Sequence, residues 1–237
     1  TIEPNVGVDF IEARKPCPCK DIRQRQESEG RLPPISEDDL RQGSICQPRT
    51  GSCIGFRRLV PCFLVDVAGL VPGASEGKGR GNAFLADLAN SDALIQVVDA
   101  AGSTDIEGNP LGSGQTKEDA QLRVNQEIEF LADELDAWIS GLLKDGWQRG
   151  VRRVQAEGEK GLISFIHEKL TGLGATLNLV ANAFDDFRNE VGDCGQPWNW
   201  DDQIIAKLAL NVRIYLFPIH IAANKCDIAP EGVLQEI

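Results

Sequence analysis

The sequence predicts an α/β fold: a mostly parallel sheet flanked by helices, with an α-helical insertion. Three observations predict it. Short apolar runs at 59–66, 93–99 and 215–223 each end in polar residues, as strands buried on both faces of a parallel sheet do. A Gly-rich loop and a helix-period segment join the first two runs, which makes a strand–helix–strand unit. The second and third runs are separated by a long tract whose apolar residues recur every three or four positions.

In chain order, residues 1–58 are rich in Pro, Gly, Cys and charge and read as an irregular, loop-dominated excursion. The run from Leu59 follows, with Asp66 at its carboxyl end. Gly69 to Gly81 is a loop, and Phe84, Leu85 and Leu88 place a helix over 82–90. A second strand covers 93–99. Beyond a polar linker, Val124, Ile128, Leu131, Leu135, Trp138 and Leu142 mark a long amphipathic helix. Further helices are expected at 162–170, 177–187 and 201–212, with Gly172-Leu173-Gly174 as a break. The third strand is expected at 215–223. The resulting domain division is 1–116, then the helical insertion 117–213, then 214–237 as a return to the first domain.

Composition narrows the function. With 42% hydrophobic residues among 237, the chain can build one substantial core with an inserted subdomain. No apolar run approaches the roughly 20 residues needed to cross a bilayer, and nothing resembles a signal peptide, so a cytoplasmic protein without membrane contact is expected. A net charge of −12 disfavours non-specific nucleic-acid binding, and no DNA partner is expected. The chain contains no Met and opens at Thr1 in what reads as the middle of a motif, so it is expected to be a fragment.

Two polar signatures sit at predicted strand ends, where open α/β sheets bind ligands. In Asp66-Val67-Ala68-Gly69 a carboxylate can hold Mg²⁺ through water, and the glycine lets a backbone N–H approach a terminal phosphate. In Asn224-Lys225-Cys226-Asp227 an aspartate can accept from the N1–H and 2-amino group of guanine, two donors that adenine lacks. Facing adenine, that carboxylate would be stranded, a cost of several kcal/mol. Asn224 would brace the loop, and the stem of Lys225 would cover the base face.

The stretch from Asp66 to Asn82, followed by Phe84-Leu85 and Val97-Val98-Asp99, resembles the switch II region and next strand of Obg and YchF GTPases. Thr1-Ile2-Glu3-Pro4-Asn5 is similar to their switch I, whose threonine ligates Mg²⁺. The excursion and the helical insertion look like archaeal-type and fungal relatives of YchF. The resemblance implies a P-loop NTPase-type fold, a guanine-nucleotide switch binding GTP or GDP with Mg²⁺, and association with the ribosome or ribosomal RNA. Bacterial YchF and its close eukaryotic relatives have an altered base motif and accept ATP, whereas Asn224, Lys225 and Asp227 keep the guanine-specific form. Leu70 stands where Ras-like GTPases carry a water-orienting Gln, so slow hydrolysis, aided by K⁺ or a partner, is expected.

A phosphate-cradling P-loop is expected to precede Thr1, and the chain as given should bind GTP weakly without it. The segment Gly73 to Gly79 is a decoy, with three residues between its first two glycines rather than four and Gly79 where a hydroxyl residue is required. Cys17, Cys19, Cys46 and Cys53 are candidate zinc ligands, although their spacings of two and seven depart from the usual pattern. The four Trp residues are read as packing. The rival function is a nucleotide-fold scaffold without hydrolysis, working through its helical insertion.

Overall fold

The computed structural model describes residues 5–67, 73, 88, 91–106, 108–111 and 116–235. The chain divides into two compact units, Thr1–Ala68 and Gly69–Ile237.

The first unit is built on a three-stranded antiparallel sheet. Strand β1 (Asn5–Glu12) pairs along its whole length with β3 (Arg57–Asp66), from Asn5 opposite Asp66 to Glu12 opposite Leu59. Strand β2 (Ser52–Ile54) pairs with the start of β3. The two-residue turn between β2 and β3, Gly55-Phe56, has both residues at positive φ, which matches the right-handed twist of the flanking strands. Helix α1 (Cys19–Ser28) lies in the connection between β1 and β2.

Two expectations are corrected here. Residues 1–58 are not wholly irregular: Val6, Val8 and Phe10 alternate with Gly7 and Asp9, a period of two that makes β1. The 59–66 run is a strand, but it runs antiparallel to its neighbours and Phe63, Leu64 and Val65 are exposed rather than buried. Asn5-to-Asp66 pairing fixes this register, so Val6, Val8, Phe63 and Val65 share one apolar, exposed face.

The second unit is a parallel strand pair with, among the described residues, one helix packed on one face; Ile95 and Val97 on the other face of the 93–99 strand are exposed, so this run is not buried on both faces as expected. Strand β4 (Leu94–Asp99) pairs with β5 (Ile219–Asn224), with Leu94 opposite Ile219 and Asp99 opposite Asn224. Helix α2 (Lys117–Lys144) begins with a reciprocal cap: Thr116 accepts from Asp119 N–H, and the Asp119 carboxylate accepts from the backbone and hydroxyl of Thr116. Its buried stripe is Ala120, Val124, Leu135, Ile139 and Leu143. The short helices α3 (Trp147–Gly150) and α4 (Arg152–Glu157) lead to α5 (Glu159–Leu170), α6 (Leu177–Val191) and α7 (Asp202–Leu216). Thr176 and Asp201 cap the last two by accepting backbone N–H bonds.

Helix α2 packs on β4 and α7, and α7 in turn on α6. A partly buried Arg213–Asp136 pair at 2.9 Å links α7 to α2. Trp147, Trp200, Phe165 and Phe187 stack and tilt against one another at centroid distances of 5.3–5.8 Å. Both buried indoles are satisfied, Trp147 donating to Pro197 O and Trp200 to Gly195 O.

The last apolar run divides between two elements. Tyr215 and Leu216 close α7, because Leu208, Val212 and Leu216 continue one helical face, and Pro218 then stops the helix. Of the helix expected over 82–90 only Leu88 is described, helical and buried; the rest of it and most of the Gly69–Gly81 loop lie outside the described residues. Among the described residues no helix is long and apolar enough to cross a membrane.

Candidate functional site

The parallel register of β4 and β5 sets the site. It brings Asp99 and Asn224 side by side at the carboxyl ends of the two strands, and Ala100 N–H donates to Asn224 O at 3.0 Å. Chain direction then sends two loops out of the same edge.

The first loop wraps around Asp99. Its buried carboxylate accepts from Ala101 N at 3.1 Å, Ser103 N at 3.0 Å, Ser103 Oγ at 2.6 Å and Thr104 Oγ1 at 3.1 Å. Lys225 Nζ donates to the same carboxylate at 2.9 Å and to Ser103 Oγ at 2.7 Å. Burial pushes the Asp99 acid up, but the Ser103 hydroxyl, Lys225 and Thr104 outweigh it and hold it down at about 2. On the other side, Asp99 N–H donates to Glu127 Oε2 of α2 at 3.0 Å. Burial raises Glu127, with the Asp99 charge adding to that rise. Gly102 has φ +58°, and a Cβ there would lie 2.7 Å from Ala120 Cα, so only glycine lets the loop pass this close to α2.

The second loop is Asn224 to Asp227. Lys225 is left-handed at φ 57°, with its N–H donating to Asn224 Oδ1 at 2.9 Å. The Cys226 thiol donates to Ala223 O, and Ile228 N–H to Lys225 O, which closes the turn. Just beyond, Val233 is fully buried against Ala120 and Val124 of α2. The loop is therefore anchored at both ends and through its lysine, while the Asp227 side chain stays exposed with no hydrogen bond among the described residues. A hollow of about 150 Å³ beside the Asp99 loop is lined by Thr104, Asp105, Ile106, Leu111, Arg123, Gln126 and Glu127.

Of the other residues singled out from sequence, Asp66 ends β3 as an exposed carboxylate of the first unit. It is a hard oxygen donor of the kind Mg²⁺ takes through retained water, so the residue fits that ion. Strand β3 pairs with β1 and β2, and β4 with β5, the strand that leads into the loop of Asp227. Thr1, Gly69 and Leu70 lie outside the described residues. Gly73 of the glycine loop is described, and its N–H donates to Glu134 of α2 at 2.6 Å.

Sequence reasoning missed Asp99, Ser103, Thr104 and Glu127. The signal was present: an aspartate at a strand end followed by Ser-Thr is a carboxylate with its own hydroxyl donors. The Lys225 ammonium was not assigned a partner from sequence, and it has one in Asp99.

The four candidate zinc ligands come together in the first unit. Cys17 Sγ lies 3.6 Å from Cys46 Sγ, Cys19 Sγ lies 3.9 Å from Cys53 Sγ, and all four sulfurs fall within 4.8 Å of one another. A wider hollow of about 930 Å³ opens among α4, α5 and α6; Trp200, read from sequence as a packing residue, lines it, and none of the candidate nucleotide or metal ligands does.

No protein-family model matches the chain. It is 37% identical over 228 residues to the uncharacterized GTP-binding protein MJ1332 of Methanocaldococcus jannaschii, covering 96% of this chain and 48% of that protein. It is 32% identical over 227 residues to the uncharacterized GTP-binding protein C428.15 of Schizosaccharomyces pombe, covering 96% of this chain and 47% of that one. Its fold matches the crystal structure of a GTP-binding protein from Pyrococcus horikoshii OT3 with a TM-score of 0.63 and 30% identity, over 98% of this chain and 53% of the other. The chain thus has the α/β fold of a GTP-binding protein, consistent with the P-loop NTPase type, and spans about half the length of these relatives.

Proposed function

We propose that this chain carries the guanine-reading part of a GTP-dependent switch. The observation that supports it best is the tie from Lys225 to Asp99 and Ser103, which fixes the backbone of the base loop and leaves the Asp227 carboxylate exposed. An anchored loop presenting one free carboxylate suits guanine, whose N1–H and 2-amino group are two parallel donors. Preorganisation also reduces the ordering cost on binding. The similarity to GTP-binding proteins over nearly the whole chain supports the same ligand.

In this reading Asn224 braces the loop and Asp227 selects guanine over adenine. Mg²⁺ would be held by Asp66, through water, and by Thr1, and would neutralise phosphate charge. Gly69 would contact the terminal phosphate. With Leu70 in place of a water-orienting amide, hydrolysis is slow and depends on K⁺ or an activating partner. By its resemblance to Obg and YchF proteins of archaeal and fungal type, the intact protein would work as a switch at the ribosome. The rival scaffold function shares the fold but has no use for a free carboxylate at position 227.

Saturation-transfer NMR on the chain with GDP and with ADP separates the two, because it reads weak binding. The expected result is transfer to the guanine ring and little to adenine, lost in Asp227→Asn. Equal transfer to both bases, or none to guanine, would sink the proposal.

A further inference from the structure

We propose that Cys17, Cys19, Cys46 and Cys53 form a closed tetrathiolate zinc site that holds the first unit's excursion together. Zinc bound by four thiolates is tetrahedral with Zn–S of about 2.3 Å, which sets sulfur–sulfur separations of about 3.8 Å. The observed 3.6 Å and 3.9 Å pairs bracket that value, and the full set fits within 4.8 Å. The sulfurs are too far apart for disulfides, whose S–S length is about 2.05 Å. A set of four soft donors with no oxygen or nitrogen ligand selects zinc among divalent ions that need no redox role.

The backbone around the sulfurs is arranged as thiolate–metal centres require. Backbone hydrogen bonding from Cys19 to the Cys17 thiol, and from Ile45 and Cys46 to the Cys19 thiol, favours the thiolate forms. Such donors fix the sulfurs and offset their negative charge. Ser44 Oγ lies 3.4 Å from Cys53 Sγ and also accepts Phe56 N–H at 2.8 Å. Cys17 N–H donates to Phe56 O at 2.8 Å, tying the first cysteine pair to the turn between β2 and β3. The spacing rule failed on this site because Cys46 reaches it from a loop and Cys53 from β2, so the ligands converge in space rather than in sequence.

Burial supplies the second, independent argument. Across residues 5–67 the buried positions are Cys19, Arg23, Gly43, Ser44 and Cys53; no aliphatic or aromatic side chain is among them. A segment of this length without an apolar core needs a cross-link to hold one conformation. The cysteine cluster sits at its buried centre, so metal binding and folding of this segment are one event.

The test uses the whole chain, purified under reducing conditions. Elemental analysis should find one zinc per chain, and Co²⁺ exchanged into the site should give the intense visible bands and thiolate charge transfer of tetrahedral sulfur coordination. Cys17→Ser and Cys53→Ser should lose the metal, whereas Cys62→Ser and Cys226→Ser should keep it. If the first pair fails to fold, thiol alkylation of the unaltered chain decides. Zinc should protect Cys17, Cys19, Cys46 and Cys53, and chelation should expose all four and open residues 13–56 to protease while helicity persists. Iron in place of zinc, two disulfides without metal, or protection that chelation leaves unchanged would overturn the proposal.

Discussion

Lys225 Nζ and Asp99 Oδ2, 126 residues apart along the chain, meet at 2.9 Å across the carboxyl ends of two adjacent parallel strands. The Asp99 side chain is 9% exposed and that of Lys225 38%, so the carboxylate is the buried member and the ammonium reaches it from the edge. The pair joins the loop after β4 to the Asn224–Asp227 loop after β5, so each holds the other in place.

Removing the lysine should therefore cost more than an exposed ion pair would. In Lys225→Met the Asp99 carboxylate keeps its Ser103 and Thr104 donors but loses its countercharge, which costs about 1–3 kcal/mol. In Asp99→Asn the lysine returns to water, but the amide NH2 replaces one acceptor oxygen and leaves at least the Ala101 N–H without its partner. Urea midpoints should fall for both Lys225→Met and Asp99→Asn, and the double variant should lose less stability than the sum of the two single losses. Additive losses would show that the two groups do not interact.

The same group sets a pH dependence. Asp99 is held at about 2 when folded, below its ordinary value of 3.8. A depressed folded value means that the contribution is present above the unfolded value and lost as pH falls through the folded one. Stability should thus decline between about pH 4 and about pH 2, by an order of 1–2 kcal/mol after solvent screening at Lys225. Asp99→Asn should flatten that part of the profile, as read from urea unfolding at stepped pH.

Glu127 carries the opposite sign. Burial, with the Asp99 charge beside it, raises its acid, so its ionisation costs stability as pH rises through the folded value. Glu127→Gln keeps an oxygen to accept Asp99 N–H and removes the charge. The variant should match or exceed the original chain at neutral pH, by up to about 1 kcal/mol, with the gain vanishing in acid. A loss at neutral pH would mean that Glu127 acts as a needed anion.

What the sequence made legible follows from the range of the forces involved. Helix α2 was readable because its buried stripe is a local repeat, and β4 and β5 because apolar runs ending in polar residues are local too. Strand β1 is equally local in its Val6, Val8, Phe10 alternation, yet it was obscured by the Pro- and Cys-rich stretch after it. Asn224 and Asp227 stood out as a motif, whereas Asp99 did not, since its role depends on a strand register spanning more than a hundred residues. The cysteines were visible as candidates but their convergence was not, because the fold closes the gap between Cys19 and Cys46.

Gly102 and Gly141 offer a matched contrast. A methyl at Gly102 meets Ala120 Cα at 2.7 Å and the residue sits at φ +58°, so Gly102→Ala forces the Asp99 loop off α2 at a cost of about 1–3 kcal/mol. Gly141 lies inside α2 with nothing within 4 Å of an added Cβ, so Gly141→Ala should stabilise by about 0.5–1 kcal/mol. Thermal midpoints moving in opposite directions would bear this out; a neutral Gly102→Ala would show that the loop is not pinned by the helix.

Asp227→Asn separates ligand reading from folding. The carboxylate is exposed and unbonded among the described residues, so the variant should unfold within about 0.5 kcal/mol of the original chain. Toward guanine the change is larger. The asparagine amide keeps one acceptor and replaces the other with a donor, which then faces a donor of the base. Losing one charged acceptor contact and adding that conflict should reduce the guanine-over-adenine preference at least about tenfold, or about 1.4 kcal/mol. Competition between GDP and ADP, followed by the same NMR transfer, measures the ratio directly. A preference that survives while stability is unchanged would move base recognition away from position 227.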